Sequence, residues 1–391
     1  MDRLRFCLWL LLFLFWGNAG LQAQENQAER KALKKQQRDS IRQHKIKAGK
    51  SIFTPIIAPG YTPEFGALIA VGGIWSFKTN PADQKIERSS IPFTAAYSTT
   101  GAVIVDARPV TFWFEDKLRI SAEIWLKNLP DNYWGIGYQK ATDIPKGENT
   151  TAYLRRWRWI NPQFLYQFKR HYFAGLNVDI NFTQGDEESE GVFNDENYQE
   201  YNDKPFNAGL GLILRHDSRD FPVNAHSGWY LDVNATAFSQ KLGGDNNYEI
   251  YQLDYRYYVT LGRDGRTLAW QIKSRIGIGG IPYGEMSKLG NPFDLRGYTW
   301  GRYRDKSLFF ILPEYRHMFA KSNGTVSRHG FVLWAGTGTV FDIGNTSEDV
   351  RLLPNGGFGY RLELQDRLNL RVDFGFGHDT FGFYFNFLEA F

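Results

Sequence analysis

The chain has 391 residues, of which 16% are aromatic and 23% charged, with a formal net charge of +4. The aromatic residues are not interleaved with a basic run, so the composition shows no nucleic-acid-binding footprint. The only cysteine, Cys7, falls in a predicted signal peptide. The mature chain is therefore expected to have no disulfide, no thiolate nucleophile and no sulfur-ligated metal.

Residues 1–23 form the predicted signal peptide. A basic start is followed by an apolar stretch at 6–16, which is too short to span a bilayer as a helix, and by small residues at 17–23. Cleavage after Ala19 or after Ala23 fits this pattern. The chain is therefore expected to be exported from the cytoplasm.

Residues 24–50 form a basic segment unlike the rest of the chain. From position 25 onward it holds nine Lys or Arg, three acids and no aromatic residue, a composition compatible with a helix. We expect a short helical or disordered periplasmic extension here. A helix that docks against anionic lipid, or into the mouth of the barrel that follows, is the alternative.

Residues 51–391 alternate between apolar and polar positions. Segments 358–365, 368–377 and 381–387 place an apolar side chain at every second position, which is the period of a strand with two different faces. An aromatic-rich apolar face opposite a polar face matches a transmembrane β-barrel, whose closure pairs every backbone group in lipid. The predicted fold class is therefore all-β, a single antiparallel transmembrane β-barrel. A soluble all-β protein is the alternative.

Sixteen strands fit this barrel, an even number as single-chain bacterial barrels require. The predicted strands are 52–61, 64–78, 89–99, 102–115, 117–128, 150–168, 171–184, 206–216, 227–240, 248–262, 267–280, 306–320, 328–343, 355–365, 367–378 and 380–390. Prolines interrupt the first five strands, so fourteen strands is the alternative. Long loops are expected on the extracellular side and short turns on the periplasmic side of a bacterial outer membrane.

One long connection contains Leu295-Arg296-Gly297-Tyr298, which resembles the (V/I)RG(F/Y) signature of the BamA/TamA superfamily, also called the bacterial surface antigen family. Other matches occur in the family's order. They are Tyr61 to Gly66, the periplasmic turn motif Asp217-Ser218-Arg219-Asp220 with Phe221-Pro222 and Ser227-Gly228, Pro313 to Arg316, Gly338 to Asp342, and Arg371 to Gly375. The resemblance covers roughly Thr54 to Phe391. It implies an outer-membrane barrel that assembles or exports proteins and occasionally moves lipid.

The resemblance also implies a role for the signature. In the family this loop enters the barrel, and its arginine contacts acids on the inner wall. Arg296 offers a planar fork of N–H donors, and Gly297 permits the close turn that presents it. By alternation Glu314 and Asp373 point inward and are the expected partners, with Asp342 as a third candidate. A solvated surface arginine is the alternative.

The chain departs from the family in two places. Gly336 stands where the family's F-x-D-x-G strand has its aspartate, so either the loop is anchored more weakly or Glu314, Asp342 or Asp373 takes over. Family members that insert or secrete proteins carry periplasmic POTRA modules, and residues 24–50 are too few to form one. We therefore expect a barrel-only member that lacks POTRA domains, with a partner supplying any periplasmic module.

The predicted function is to assist the insertion, assembly or translocation of outer-membrane or secreted proteins, or of lipid, through a weak lateral seam. Pro55 and Pro59 in the first strand lack ladder donors and would weaken its pairing with the last strand. The last strand and C-terminal assembly signal are expected to comprise Phe383, Phe385, Phe387 and Phe391. Expected partners are outer-membrane lipid and lipopolysaccharide, client proteins and a periplasmic partner, but not nucleic acid.

A passive porin-like diffusion channel is the alternative function, because a barrel of this size has room for an aqueous lumen. Catalysis is not expected, since the seven histidines are dispersed and no GxSxG or zinc-ligand spacing occurs. No cofactor or metal is expected either. The acidic loop at 186–203 is expected to be solvated, with divalent-cation bridging to lipopolysaccharide as the alternative.

Overall fold

The computed structural model describes Ser40 and residues 48–83, 86–345, 350–365, 367–378 and 380–391. The predicted signal peptide lies outside the described residues. So does the predicted basic extension, apart from Ser40 and residues 48–50.

Sixteen strands in the described residues form one antiparallel sheet that closes on itself, which confirms the predicted fold class and strand count. The strands are β1 (Ile52–Thr62), β2 (Gly66–Phe77), β3 (Ser89–Ser98), β4 (in two pieces, Val103–Ala107 and Val110–Trp113), β5 (Leu118–Asn132), β6 (Ala152–Lys169), β7 (Tyr172–Asp186), β8 (Phe206–Asp217), β9 (Gly228–Phe238), β10 (Tyr248–Thr260), β11 (Arg266–Gly279), β12 (Ser307–Ala320), β13 (Val326–Phe341), β14 (Leu353–Gln365), β15 (Leu368–Gly377) and β16 (Thr380–Phe387). Each strand pairs with the next along the chain.

The barrel carries its apolar face on the outside. On β8, Leu210, Leu212 and Leu214 point outward and are 50%, 65% and 59% exposed, whereas Ile213 points inward and is 1% exposed. Leucines on an outer face are stable in contact with acyl chains, whereas in water the same band would be an aggregation surface. The period-two pattern therefore produces a barrel wall that faces lipid.

Long connections gather at one end of the barrel, called here the long-loop end. They hold the short helices α1 (Tyr138–Asp143), α2 (Glu190–Phe193) and α3 (Glu196–Tyr201), with 3-10 turns at Gln240–Leu242 and Tyr283–Glu285. A two-residue ribbon pairs Ser287–Lys288 with Arg304–Asp305. The opposite, short-turn end carries most of the tight turns, as predicted for the periplasmic side. No helix in the described part of the chain is long and apolar enough to cross a membrane.

The main core of the protein lies inside the barrel. Residues 280–306, named here the lumenal loop, connect β11 to β12 and pack Leu295 and Tyr298 against Leu312 and Val332 of the wall. A cavity of about 440 Å³ remains against the wall formed by β5 to β11. Its lining includes the ion pairs Arg215–Asp232 and Arg256–Asp254, both at 2.6 Å.

The barrel closes between β1 and β16. Within the described residues these strands register through one pair, Tyr61 with Phe385, and the Tyr61 ring lies 5.5 Å from that of Phe383. By contrast, β1 pairs with β2 along its whole length, from Ile52 to Thr62. The closure is thus the least paired junction of the described barrel.

Candidate functional site

The signature segment of the lumenal loop is buried inside the barrel. Arg296 and Leu295 are 0% exposed and Tyr298 is 1% exposed. A solvated loop would leave these side chains in water. An arginine in such a place must have partners, because a buried unpaired charge is strongly destabilising.

Arg296 reaches two carboxylates on different strands. Its Nη2 donates to Oε2 of Glu314 on β12 at 2.7 Å, and its Nη1 donates to Oδ2 of Asp373 on β15 at 2.8 Å. Both acids are fully buried. Because β12 and β15 are three positions apart around the barrel, one guanidinium ties the loop to a broad section of wall.

An aromatic face completes the arginine's surroundings. The Arg296 Cζ lies 3.6 Å from the ring centroid of Trp334 on β13, the strand that carries glycine at position 336. The Trp334 indole N–H donates to Asn355 Oδ1 at 3.1 Å, which holds the ring in place. The cation–π contact thus lies two residues before Gly336, the position at which the resemblance implies an aspartate.

Asp342 does not contact Arg296. It pairs with Lys306, the last residue of the lumenal loop, at 2.8 Å. Trp334 marks the level of Arg296 on β13, and Asp342 lies eight residues further along, about 26 Å at the usual rise of a strand. The candidate partner Asp342 was therefore wrong for Arg296.

The two acids that hold Arg296 belong to a larger buried charge network of four arginines and three carboxylates. The further pairs are Arg316 Nε with Glu314 Oε1 at 2.8 Å, Arg361 Nη1 with Asp373 Oδ1 at 2.6 Å, Arg361 Nε with Glu389 Oε2 at 2.9 Å, and Arg371 Nε with Asp373 Oδ2 at 3.5 Å. Each carboxylate faces at least one arginine. Such compensation is what makes a buried charge cluster tolerable.

Gly297 allows the loop backbone to lie directly on the wall. Its φ is +114°, and a Cβ there would come within 2.7 Å of the Gly375 backbone on β15. The Gly297 N–H donates to the hydroxyl of Tyr384 on β16 at 2.9 Å. Position 297 therefore requires glycine for both conformation and space.

The lumenal loop also reaches the first hairpin of the barrel. The Trp300 N–H donates to Glu64 Oε1, between β1 and β2, at 3.3 Å, and the Trp300 ring lies 6.2 Å from that of Phe65. With the Tyr384 contact on β16, the loop touches structure on both sides of the weakly paired closure.

The connection between β8 and β9 crosses the short-turn end of the barrel. Asp217, the last residue of β8, pairs with Arg219 at 2.8 Å, and Arg219 Nη1 donates to the Pro222 carbonyl at 2.9 Å. Gly228, at φ +96°, lies where a Cβ would meet the Ser218 carbonyl at 2.2 Å. The motif residues Asp217, Arg219, Pro222 and Gly228 therefore shape the turn itself.

Asp220 of the same connection joins it to a distant turn. Its Oδ2 accepts from Arg367 Nη2, between β14 and β15, at 3.0 Å, and its Oδ1 accepts from the His226 and Ser227 N–H groups. Burial raises the pKa of Asp220, but these N–H donors and Arg367 outweigh it and the pKa lies below its usual range. Burial and the Arg367 charge lower the pKa of His226 to about 4.

The chain beyond β16 turns into the lumen. Phe383, Phe385 and Phe387 alternate with the inward-facing Tyr384 along β16, and Leu388 at φ +67° ends the strand. Phe391 is buried, with its ring 5.1 Å from Arg316 Cζ and its carbonyl accepting from Arg316 Nη2 at 2.8 Å. The role of these phenylalanines as an assembly signal stays a prediction.

At the long-loop end, Asp195 organises the acidic loop. It caps α3 through the Asn197 and Tyr198 N–H groups, accepts from the Tyr133 hydroxyl at 2.7 Å and pairs with Lys140 at 2.9 Å. Burial raises the pKa of Asp195, but the Lys140 and Tyr133 hydrogen bonds outweigh it and the pKa is lowered. Asp195 thus departs from the expected solvated loop, whereas Glu187, Glu196 and Glu200 are exposed as expected.

The comparison with known families covers the part of the chain that holds the lumenal loop and its contacts. A family model described as the Omp85 superfamily domain matches residues 117–391, which is more than half of the chain. The chain belongs to the Omp85 superfamily. This membership confirms the predicted resemblance, and with the barrel it places the Omp85 chain in the bacterial outer membrane. A search of curated proteins finds no match.

Solved structures show the same fold at low sequence identity. BamA from Haemophilus ducreyi lacking POTRA domains 1-3 is 12% identical, with a TM-score of 0.58 over 86% of this chain and 70% of that one. CdiB from Escherichia coli is 9% identical, with a TM-score of 0.57 over 86% and 62%. CdiB from Acinetobacter baumannii is 12% identical, with a TM-score of 0.54 over 86% and 59%. The Omp85 chain thus spans about three fifths of the CdiB chains.

Four residues of the Omp85 site were not identified from the sequence. Trp334, Asn355, Tyr384 and Glu389 all contact the signature segment or the network around it. Alternation alone could have placed Trp334 and Tyr384 on the inner face. No local signal marks Glu389, because its position depends on the backbone turn at Leu388.

Proposed function

We propose that this Omp85 barrel assists the insertion, assembly or translocation of outer-membrane or secreted proteins, with the β1–β16 closure as a lateral seam. The observation that carries the proposal is that, among the described residues, β1 and β16 register through a single pair, Tyr61 with Phe385, whereas the other junctions are paired along most of their length. A seam held by so few backbone hydrogen bonds opens more easily than any other junction. An open seam exposes strand edges within the bilayer.

The prolines of β1 give the seam a physical basis. Pro55 and Pro59 have no N–H, and residues separated by an even number along a strand direct their backbone groups to the same neighbour. Both missing donors therefore lie on one edge of β1. Because the other edge pairs with β2 without a break, the depleted edge is the one that faces β16. A client strand can add to such an edge through its own donors.

The lumenal loop gives the barrel a rigid section on the β16 side of this weak junction. The Arg296 network ties the loop to β12 through β15, so that section keeps its shape when β1 separates from β16. The loop also contacts both sides of the seam, through the Tyr384 hydroxyl on β16 and through Glu64 in the turn after β1. We propose that opening requires these two loop contacts to yield while the Arg296 contacts persist.

Clients are proposed to reach the seam from the periplasm with the help of a periplasmic partner. The resemblance supplies the reason, since POTRA modules accompany the barrel in members that insert or secrete proteins. Lipid movement through the same seam is the second form of the proposal, and no catalytic step is part of it.

The direct test is depletion of the protein from cells, followed by quantification of the outer-membrane proteome and of lipid asymmetry. Loss of a subset of other barrels or secreted proteins supports protein assembly, and loss of asymmetry alone supports lipid movement. Unchanged levels of every other outer-membrane protein together with unchanged asymmetry contradict the proposal.

A passive diffusion channel is less well supported. The charged cavity favours it, but the lumenal loop and the buried Phe391 form one apolar core within the lumen. We expect low conductance for the wild-type barrel in planar bilayers and higher conductance for Arg296→Ala, because that change releases the loop. High, steady wild-type conductance that Arg296→Ala leaves unchanged would favour the channel.

A further inference from the structure

Two exposed arginines interrupt the apolar outer face of β6 near the long-loop end. Ile160, Phe164 and Tyr166 on this face are 44%, 44% and 57% exposed. Arg158 and Arg156 continue the same period-two series toward the long loops, and both are exposed. Their side chains therefore project outward from the barrel, toward the membrane, and not into the lumen.

Their depth follows from strand geometry. From Ile160 to Phe168 the outward positions are apolar over eight residue steps, about 26 Å of strand, or about 20 Å along the membrane normal at a tilt of about 40°. An apolar band on outer-membrane barrels is about 25 Å tall. Arg158 thus lies at the edge of the acyl layer and Arg156 one outward position beyond it. Arginine is tolerated at this depth and strongly disfavoured at the midplane.

Arg158 is held in place without an acidic partner. Its Cζ lies 5.3 Å from the ring centroid of Phe182 on β7, and none of the ion pairs found among the described residues includes it. Its guanidinium donors therefore remain available to a ligand. Arg156 pairs with Asp186 at 2.5 Å and stays 44% exposed.

The neighbouring outward residues are polar as well. Asn128 on β5 and Gln184 on β7 lie directly across from Arg156 in the sheet. Both can hydrogen-bond hydroxyl groups of a sugar. The surface thus combines arginine guanidinium groups with neutral amide side chains at one level of the membrane.

We propose that Arg156 and Arg158 form a binding site for the phosphorylated glucosamine headgroup of lipopolysaccharide in the outer leaflet. Guanidinium matches phosphate oxygens with two parallel N–H donors, and the depth of the pair is that of a lipid headgroup. Arg158 is the principal contact, because Arg156 shares its charge with Asp186. The proposal depends on the long-loop end facing the cell exterior, as in other outer-membrane barrels, and does not depend on the seam.

Binding is measured with the refolded mature chain in detergent, using bisphosphorylated lipid A in mixed micelles as the probe. We expect Arg158→Gln to weaken binding on the order of tenfold, and the double variant with Arg156→Gln to weaken it further. Arg170→Gln removes the same charge from the short turn at the other end of β6 and is expected to bind as the wild type does. A heat-dependent shift in gel mobility verifies that each variant is folded.

Three further arms identify the ligand chemistry. Lipid A without phosphates should bind weakly and equally to all variants, phosphatidylglycerol should compete poorly, and EDTA should leave wild-type binding intact. Wild-type affinity in the double variant would overturn the proposal. Binding that survives both arginine changes but disappears with EDTA would also overturn it, because the acidic loop and bridging cations would then hold the lipid. Equal affinity for phosphatidylglycerol would refute the preference for lipopolysaccharide.

Discussion

Replacement of Arg296 by alanine is the sharpest perturbation of the lumenal loop. The side chain makes two charge-assisted hydrogen bonds, to Glu314 and to Asp373, from a fully buried position. Each such bond contributes about 1.5–3 kcal/mol, so the sum is roughly 3–6 kcal/mol. The two acids keep Arg316 and Arg361 as partners, which limits the penalty of stranded charge. We therefore expect a loss of about 3 kcal/mol, a factor of roughly 150 in the ratio of folded to unfolded protein.

The assay is equilibrium unfolding by urea in detergent micelles, followed by the heat-dependent gel shift and by proteolysis of the lumenal loop. Lys306→Ala is the matched control, because it breaks a 2.8 Å ion pair of the same loop in a partly exposed setting and should cost less than about 1 kcal/mol. Arg296→Lys should recover only part of the loss, since one ammonium cannot reproduce the two-armed contact. Equal unfolding midpoints for Arg296→Ala and Lys306→Ala would refute the reasoning.

Three further predictions concern neighbouring contacts. Gly297→Ala should destabilise the barrel by about 2 kcal/mol or more, because its Cβ meets the Gly375 backbone at 2.7 Å; wild-type urea resistance would count against the close packing. Trp334→Leu should lower the free energy of unfolding by about 3 kcal/mol, because the packing of the ring and its cation–π contact with Arg296 are lost. Additive effects of Trp334→Leu and Arg296→Ala in a double-mutant cycle would show that the two side chains do not interact. The pKa of His226 is lowered to about 4 in the folded protein, so between about pH 6.5 and pH 4 the unfolded chain binds a proton that the folded chain does not. Acidification from pH 7 to pH 5 should therefore lower the free energy of opening of residues 218–227 by about 1 kcal/mol. Hydrogen exchange of that segment measures this change, and His226→Asn should abolish it; an unchanged pH response in the variant would rule out His226 as its source.

The wall of the barrel could be predicted from the sequence because a period of two determines which face each residue occupies. That rule placed Glu314 and Asp373 on the inner face, and the structure brings both of them to Arg296. The rule could not exclude Asp342 as a partner of Arg296, because alternation predicts the face on which a side chain lies but not its height along the barrel axis. Height depends on the stagger of neighbouring strands, which is a property of the closed sheet.

Contacts between segments far apart in the chain were beyond prediction for a different reason. Glu389 reaches Arg361 only because Leu388 adopts a left-handed conformation that few non-glycine residues take. Asp220 reaches Arg367 because its turn crosses the mouth of the barrel. Neither arrangement leaves a recognisable pattern in the sequence, since the first depends on one unusual backbone conformation and the second on the path of a turn across the closed barrel.

The seam is tested most directly by a disulfide across it. Tyr61→Cys with Phe385→Cys joins the pair through which the described parts of β1 and β16 register, where opposed Cα atoms lie about 4.5–5.5 Å apart and suit a disulfide. Val372→Cys with Phe385→Cys is the matched control, because it locks the same residue to β15 on its other side.

Both pairs are introduced into cells depleted of the wild-type protein, and the outer-membrane proteome is measured with and without a reductant. We predict that the Tyr61–Phe385 lock reproduces the depletion defect and that reductant reverses it, while the Val372–Phe385 lock supports a normal membrane. A fully oxidised Tyr61–Phe385 lock that supports a normal outer-membrane proteome would contradict a function that depends on the seam.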